Sequence, residues 1–264
     1  MEHPWHPRIA PWFAYMVMLA VTLQVRDWYA WAYPPLKIMQ ATTVCFLVWR
    51  FRSLVPEITL RFHWSVVPIS VLLAATWVGS HAWMVRLFPG LVDVEPTFLQ
   101  TLYTNDQTLF WLAAMAHLLA MCTAVALIEE TFNRSLLLRS FSNMRATRIG
   151  ILQFICDMPV IGDWLAGTSA GARARKQPPA FGDQFKQTPL GHLSICGVTA
   201  STTVFMLVHA VVDWPGAILC GVTWCILLNR TRHLGLGPVI WSHAIVNGLL
   251  WCYVVTMQDF RLIS

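Results

Sequence analysis

The chain has 264 residues, of which 56% are hydrophobic and only 12% charged, with a mean hydropathy of +0.55. A soluble domain carries about twice that charged fraction, so an ordinary water-soluble globule is excluded. The net charge of +5 sits in short basic clusters between apolar runs, a topology signal. No aromatic-interleaved basic patch or phosphate-cradling glycine loop appears, which sets nucleic-acid and nucleotide binding aside.

A membrane span needs about 20 apolar residues, fewer where flanking side chains snorkel. On that measure the sequence predicts spans at residues 9–25, 35–49, 64–85, 108–128 running on towards 138, 189–212, 215–228 and 236–257. The opening MEHPWHPRIAPW has no small-residue cleavage site behind its apolar run, so the first segment reads as a retained span. The stretch 149–167 holds Asp157, Pro159 and Asp163 and stands open as an eighth span, a re-entrant piece or an interfacial helix. Residues 168–187, rich in Gly, Pro, Arg and Lys without periodicity, predict a loop. Arg50, Arg52 and Arg61 mark an inner loop, Asp93, Glu95 and Asp106 an outer one, and Arg139, Arg145 and Arg148 return the chain inside. The seven cysteines show no CxxC spacing and read as small hydrophobes, while the 14 tryptophans suit membrane–water interfaces. The expected fold class is an all-α polytopic transmembrane helix bundle of seven to eight spans.

Ionisable side chains inside such spans are costly and mark interiors or water-filled cavities. Glu129, Glu130 and Arg134 follow one of the longest apolar runs. At four residues apart, Glu130 and Arg134 share a helix face, whereas Glu129 is turned about 100° away and lacks that partner. The alternative is a helix that has already left the membrane, with these charges solvated at its boundary. Two further motifs are FMLVH, from Phe205 to His209, and HAIVN, from His243 to Asn247, whose ends lie one turn apart on one face. His81 and His117 also lie in apolar runs and stand as possible distractors. A desolvated carboxylate beside a histidine suits water activation, and a second histidine with a carboxamide suits an oxyanion. That set suffices to hydrolyse an amide without a serine or cysteine nucleophile. No HExxH motif is present, although Glu129, His209 and His243 supply ligand types for zinc.

The ordered motifs Glu129-Glu130-x-x-x-Arg134, Phe205-x-x-x-His209 and His243-x-x-x-Asn247 resemble those of the CAAX protease and bacteriocin-processing family of intramembrane proteases. The resemblance covers roughly residues 109–255, and the family includes the type II CAAX prenyl endopeptidases. YPPLKIMQ and the closing MQDFRLIS are similar to the bacterial CAAX prenyl protease-related subgroup associated with exosortase and surface-protein sorting. The family's bulky aromatic before the arginine is Asn133 here. The resemblance implies a conical catalytic cavity and a division at residues 1–107, 108–257 and a tail of 258–264. It implies that Glu129 activates water with help from His209, that His243 and Asn247 form the oxyanion site, and that Glu130, Arg134 and Phe205 support them. It further implies a multi-pass protein of the bacterial inner membrane, with the bilayer and a membrane-associated protein or peptide, lipidated or not, as partners and no required cofactor. Two other readings stand beside it. One is a transporter or sorting partner using the same Glu/His set as a proton relay, and the other is haem or metal ligation by His209 and His243.

Overall fold

The structure, a computed structural model, describes residues 5–91, 96–158 and 161–263. Every regular element among them is helical, as lipid demands of a segment that must satisfy its own backbone. In chain order these are α1 (His6–Trp28), α2 (Tyr33–Phe51), α3 (Val66–Leu87), α4 (Phe98–Asn105), α5 (Gln107–Ser140), α6 (Met144–Cys156), α7 (Ile161–Ala166), α8 (Ser169–Arg175), α9 (Ala180–Gln187), α10 (Ile195–Leu207), α11 (Trp214–Thr231) and α12 (Gly237–Met257). Five are long and apolar enough to cross a membrane: α1, α3, the 34-residue α5, α11 with its flanking turns, and α12. The chain is a membrane-embedded helical protein.

Several expectations change. The predicted span 189–212 contains a helix of only 13 residues, α10, which starts where Ser194 Oγ accepts the Gly197 N–H at 3.0 Å. The stretch 149–167 divides into α6 and α7, neither as long as the 18 residues of a candidate span. Its Pro159 lies outside the described residues, as do Asp93 and Glu95 of the predicted outer loop. Residues 168–187 are not a loop, for they form α8 and α9. Thr168 caps α8, and Gln153 of α6 reaches across to the Ala174 and Pro178 carbonyls and accepts the Ala180 N–H. Those are tertiary hydrogen bonds, which no local periodicity announces. Asp106, read as a loop charge, is the N-cap of α5 and accepts the Leu109 N–H at 2.9 Å.

The helices pack in an interleaved order. α1 and α2 form a hairpin against α5, α3 lies on α11 and α12, and α10 lies on α11. Close approach between α10 and α11 depends on Gly221, where a Cβ would stand 2.8 Å from Thr202 Cγ2. Gly235, at φ +71°, makes the turn into α12, and a Cβ there would stand 2.5 Å from the Glu57 carbonyl oxygen.

Glu57, in the α2–α3 connection, ties three elements together. Arg8 Nη2 of α1 lies 2.6 Å from its Oε1, Ser135 Oγ of α5 donates to the same oxygen, and Arg139 Nη1 stands 3.5 Å away. The Phe185 ring of α9 lies against both guanidiniums, 4.7 Å from that of Arg8 and 3.9 Å from that of Arg139. Burial by itself raises the Glu57 carboxyl, but the Arg8 charge and the hydrogen bonds from Ser135 and Arg8 outweigh it and hold the group below the usual carboxylate value. A depressed folded value means stability that is present above the unfolded carboxylate pKa of about 4.3 and lost as pH falls through the folded one. Glu57→Gln should therefore lower the melting temperature at pH 7, and the gap to wild type should close as the pH is taken below about 4. Thermal unfolding in detergent across that range measures it.

Candidate active site

Glu129 and Glu130 occupy a five-residue α segment, Ala126–Glu130, between two π-helical turns at Met121–Val125 and Thr131–Leu137. Each π turn shifts the angular register of α5, a distortion frequent at functional sites. A uniform 3.6-residue template, used on the sequence, does not contain it.

Between the two glutamates stands His243 of α12. Its Nδ1 lies 2.8 Å from Glu130 Oε1, and its Nε2 lies 3.9 Å from Glu129 Oε2. The other Glu130 oxygen lies 3.2 Å from Arg134 Nε, with both side chains fully buried. Arg134 is held between aromatic rings, its guanidinium carbon 4.9 Å from the Phe205 centroid and 5.2 Å from that of Trp224. Trp224 also stacks on His243, with centroids 4.4 Å apart and planes at 21°. Its Nε1 donates to Ser242 Oγ, and that hydroxyl pairs with Ser70 of α3 at 2.9 Å.

This arrangement separates the roles of the two carboxylates by environment. Glu130 is enclosed by a guanidinium and an imidazole. Glu129 keeps 15% of its side chain exposed, while its Oε2 is shielded and makes no hydrogen bond among the described residues. With Nδ1–H donating to Glu130, a neutral His243 turns the Nε2 lone pair towards Glu129. The 3.9 Å gap is too long for a direct hydrogen bond and short enough for one water to reach both atoms.

The remaining motif residues are placed differently. Asn247 Nδ2 donates to the Met121 carbonyl at 2.9 Å, where the first π turn begins, and keeps its second amide hydrogen. His209 lies just beyond the end of α10, with Nδ1 2.7 Å from the Phe205 carbonyl oxygen. Phe205 touches both imidazoles, at 4.6 Å from His209 and 5.8 Å from His243. No hydrogen bond or ion pair joins His209 to Glu129 among the described residues, so the histidine beside Glu129 is His243. Nor do Glu129, His209 and His243 gather as a ligand set: no group of three or more His, Cys, Asp or Glu is disposed to hold a metal among the described residues. Asn133 is buried with Oδ1 unbonded, and its neighbour Phe132 stacks on Trp12 of α1 at 5.0 Å.

A second polar cluster adjoins His209. Asp213 Oδ1 lies 2.8 Å from His81 Nδ1 and accepts from Trp77 Nε1 at 3.1 Å, and the Trp77 ring meets His209 edge-on at 5.3 Å. The sequence reading missed Asp213, Trp77 and Trp224. A lone acid just before the Pro215 helix start was the available signal for Asp213. The tryptophans look like any others in an apolar run.

Removing Arg134 leaves Glu130 buried beside nothing but His243. Arg134→Met should lower stability by about 3–5 kcal/mol, whereas Glu130→Leu with Arg134→Met should recover most of it. Thermal unfolding of the purified variants reads both outcomes. No protein-family model matches the chain, and no curated protein and no solved structure matches it.

Proposed function

We propose that the chain is an intramembrane endopeptidase in which Glu129 activates water. It hydrolyses a peptide bond near the C-terminus or the membrane-proximal end of a membrane-associated protein. The observation that carries this reading is the Glu129–His243–Glu130–Arg134 chain, in which a partly exposed carboxylate faces an imidazole that is itself held by a buried ion pair. The motif resemblance to CAAX-type proteases supports the same reading.

In this mechanism a water bridges Glu129 Oε2 and His243 Nε2. Glu129 takes its proton as the water oxygen attacks the scissile carbonyl carbon, and later delivers that proton to the leaving amine. The oxyanion is stabilised by the second amide hydrogen of Asn247, while His243 holds the attacking water through its Nε2 lone pair. Glu130 holds the imidazole through Nδ1. The roles suggested by the motifs are thereby shifted: His243 serves at the water, and His209 stands on the other side of Phe205. Seven crossings of the bacterial inner membrane fit this reading, with α2 and α10 joining the five long helices and α6 and α7 lying at the interface. No step requires a cofactor.

Purified protein in nanodiscs should cleave a membrane-tethered C-terminal peptide, tested with and without a lipid on its cysteine. Glu129→Ala and Glu129→Gln should each reduce turnover by about 10²–10⁴-fold, and His243→Ala by a similar factor. Full activity in Glu129→Gln would remove the mechanism.

A second reading, a proton-coupled transporter or sorting partner, draws on one specific observation. Carboxylate, imidazole and carboxylate form a series that one water across the 3.9 Å gap would close into a proton path. Proton flux in proteoliposomes that stops in Glu129→Gln, without cleavage of any tethered peptide, would decide for it.

A further inference from the structure

Lys37 is a buried cation that the chemistry above does not use. Its side chain is in α2, 3% of the residue is exposed, and no acid pairs with it among the described residues. Its Nζ lies instead 5.7 Å from the Tyr33 ring centroid and 6.0 Å from that of Tyr15. Cation–π contacts at such distances offset only part of what a buried ammonium loses on leaving water. An intramembrane lysine in that position calls for a counter-charge.

Its neighbours repeat the deficit. Tyr33 Oη shares a 3.0 Å hydrogen bond with His117 Nδ1, and His117 Nε2 is buried with no partner among the described residues. Tyr33 packs on Phe98 at 4.9 Å, and Phe98 in turn carries the Arg26 guanidinium over its face, also at 4.9 Å. Arg26 Nε is shielded and makes no hydrogen bond among the described residues. Its ion-pair partner, Asp27, is 3.4 Å away and 63% exposed. Around Tyr33 there are thus a lysine, an arginine and a histidine, with one solvated carboxylate among them. What the cluster lacks is an acceptor with several oxygens.

The position of the cluster tells where that acceptor comes from. Arg26 ends α1 and Lys37 lies in the second turn of α2, so the cluster sits under the α1–α2 turn. Trp28, Tyr29 and Trp31 on that turn are 78%, 63% and 46% exposed, the side chains that settle at headgroup level. Basic pockets between helices at this depth hold lipid headgroups. We propose that Lys37, Arg26 and His117 form a binding site for the phosphate of a bilayer phospholipid, with Tyr33 as the ring around which the three are arranged. The proposal does not rest on the catalytic reading.

The test is the full chain purified in mild detergent, with retained phospholipid counted by native mass spectrometry after exchange. Wild type should keep about one phospholipid, Lys37→Met should lose it, and Lys37→Arg should keep it. Arg26→Gln should weaken retention at least tenfold, which covers the case of a Lys37→Met chain that does not fold. Re-addition of phosphatidylglycerol vesicles should restore the lipid to wild type and Lys37→Arg and not to Lys37→Met. Equal retention in Lys37→Met and wild type would overturn the site. Displacement of the lipid by millimolar inorganic phosphate would overturn the bilayer as the source of the phosphate.

Discussion

The buried pair of Glu130 and Arg134 is the interaction on which the centre of this bundle depends. Two charges with no exposed side-chain surface are tolerable in an apolar interior only where each is neutralised and the surroundings are shaped to both. Here the shaping is aromatic: Phe205 from α10 and Trp224 from α11 flank the guanidinium, and Trp224 continues onto the imidazole of His243 from α12. One ion pair on α5 therefore sets the placement of three other helices. The Ser70–Ser242 hydroxyl pair and the bond from Trp224 extend that order to α3.

A consequence of this packing is that chemical freedom is left to Glu129 alone. Glu130 is paired with Arg134 and His243, and Arg134 lies against the rings of Phe205 and Trp224. Glu129 faces His243 across a gap short enough for one water to bridge, at the end of a series that begins with the Arg134–Glu130 ion pair. The π turns on either side of Ala126–Glu130 matter for the same reason. They break the even spacing of α5 where two adjacent carboxylates reach a single imidazole. One residue beyond Arg134, at Ser135, Glu57 does comparable work, drawing α1, α5 and the α2–α3 connection together through Arg8, Ser135 and Arg139.

How far the sequence could be read varies with the range of the interaction involved. The helical character and the five long apolar helices follow from hydropathy alone, because a lipid-facing segment carries its hydrogen-bond solution within itself. The i, i+4 spacing of Glu130 and Arg134 is likewise a local fact. The shorter α10 and the helices α8 and α9 were not legible in this way. Their limits depend on Ser194, Thr168 and Gln153 reaching backbone groups, the last across to another element.

By itself the sequence determined the class of protein, the long apolar helices and the residue types gathered in three motifs, since composition, hydropathy and short spacing are properties of the chain taken in order. Only the tertiary structure decided which histidine meets which carboxylate. His243 stands beside Glu129 and Glu130, while His209 turns to Trp77 and Phe205. It also decided that Lys37 lies among rings without an acid and that Asp213 binds His81 and Trp77. The physical reason is common to all of these. Each pairing joins residues on different helices, and its geometry is set by how those helices cross and where α5 departs from a regular turn.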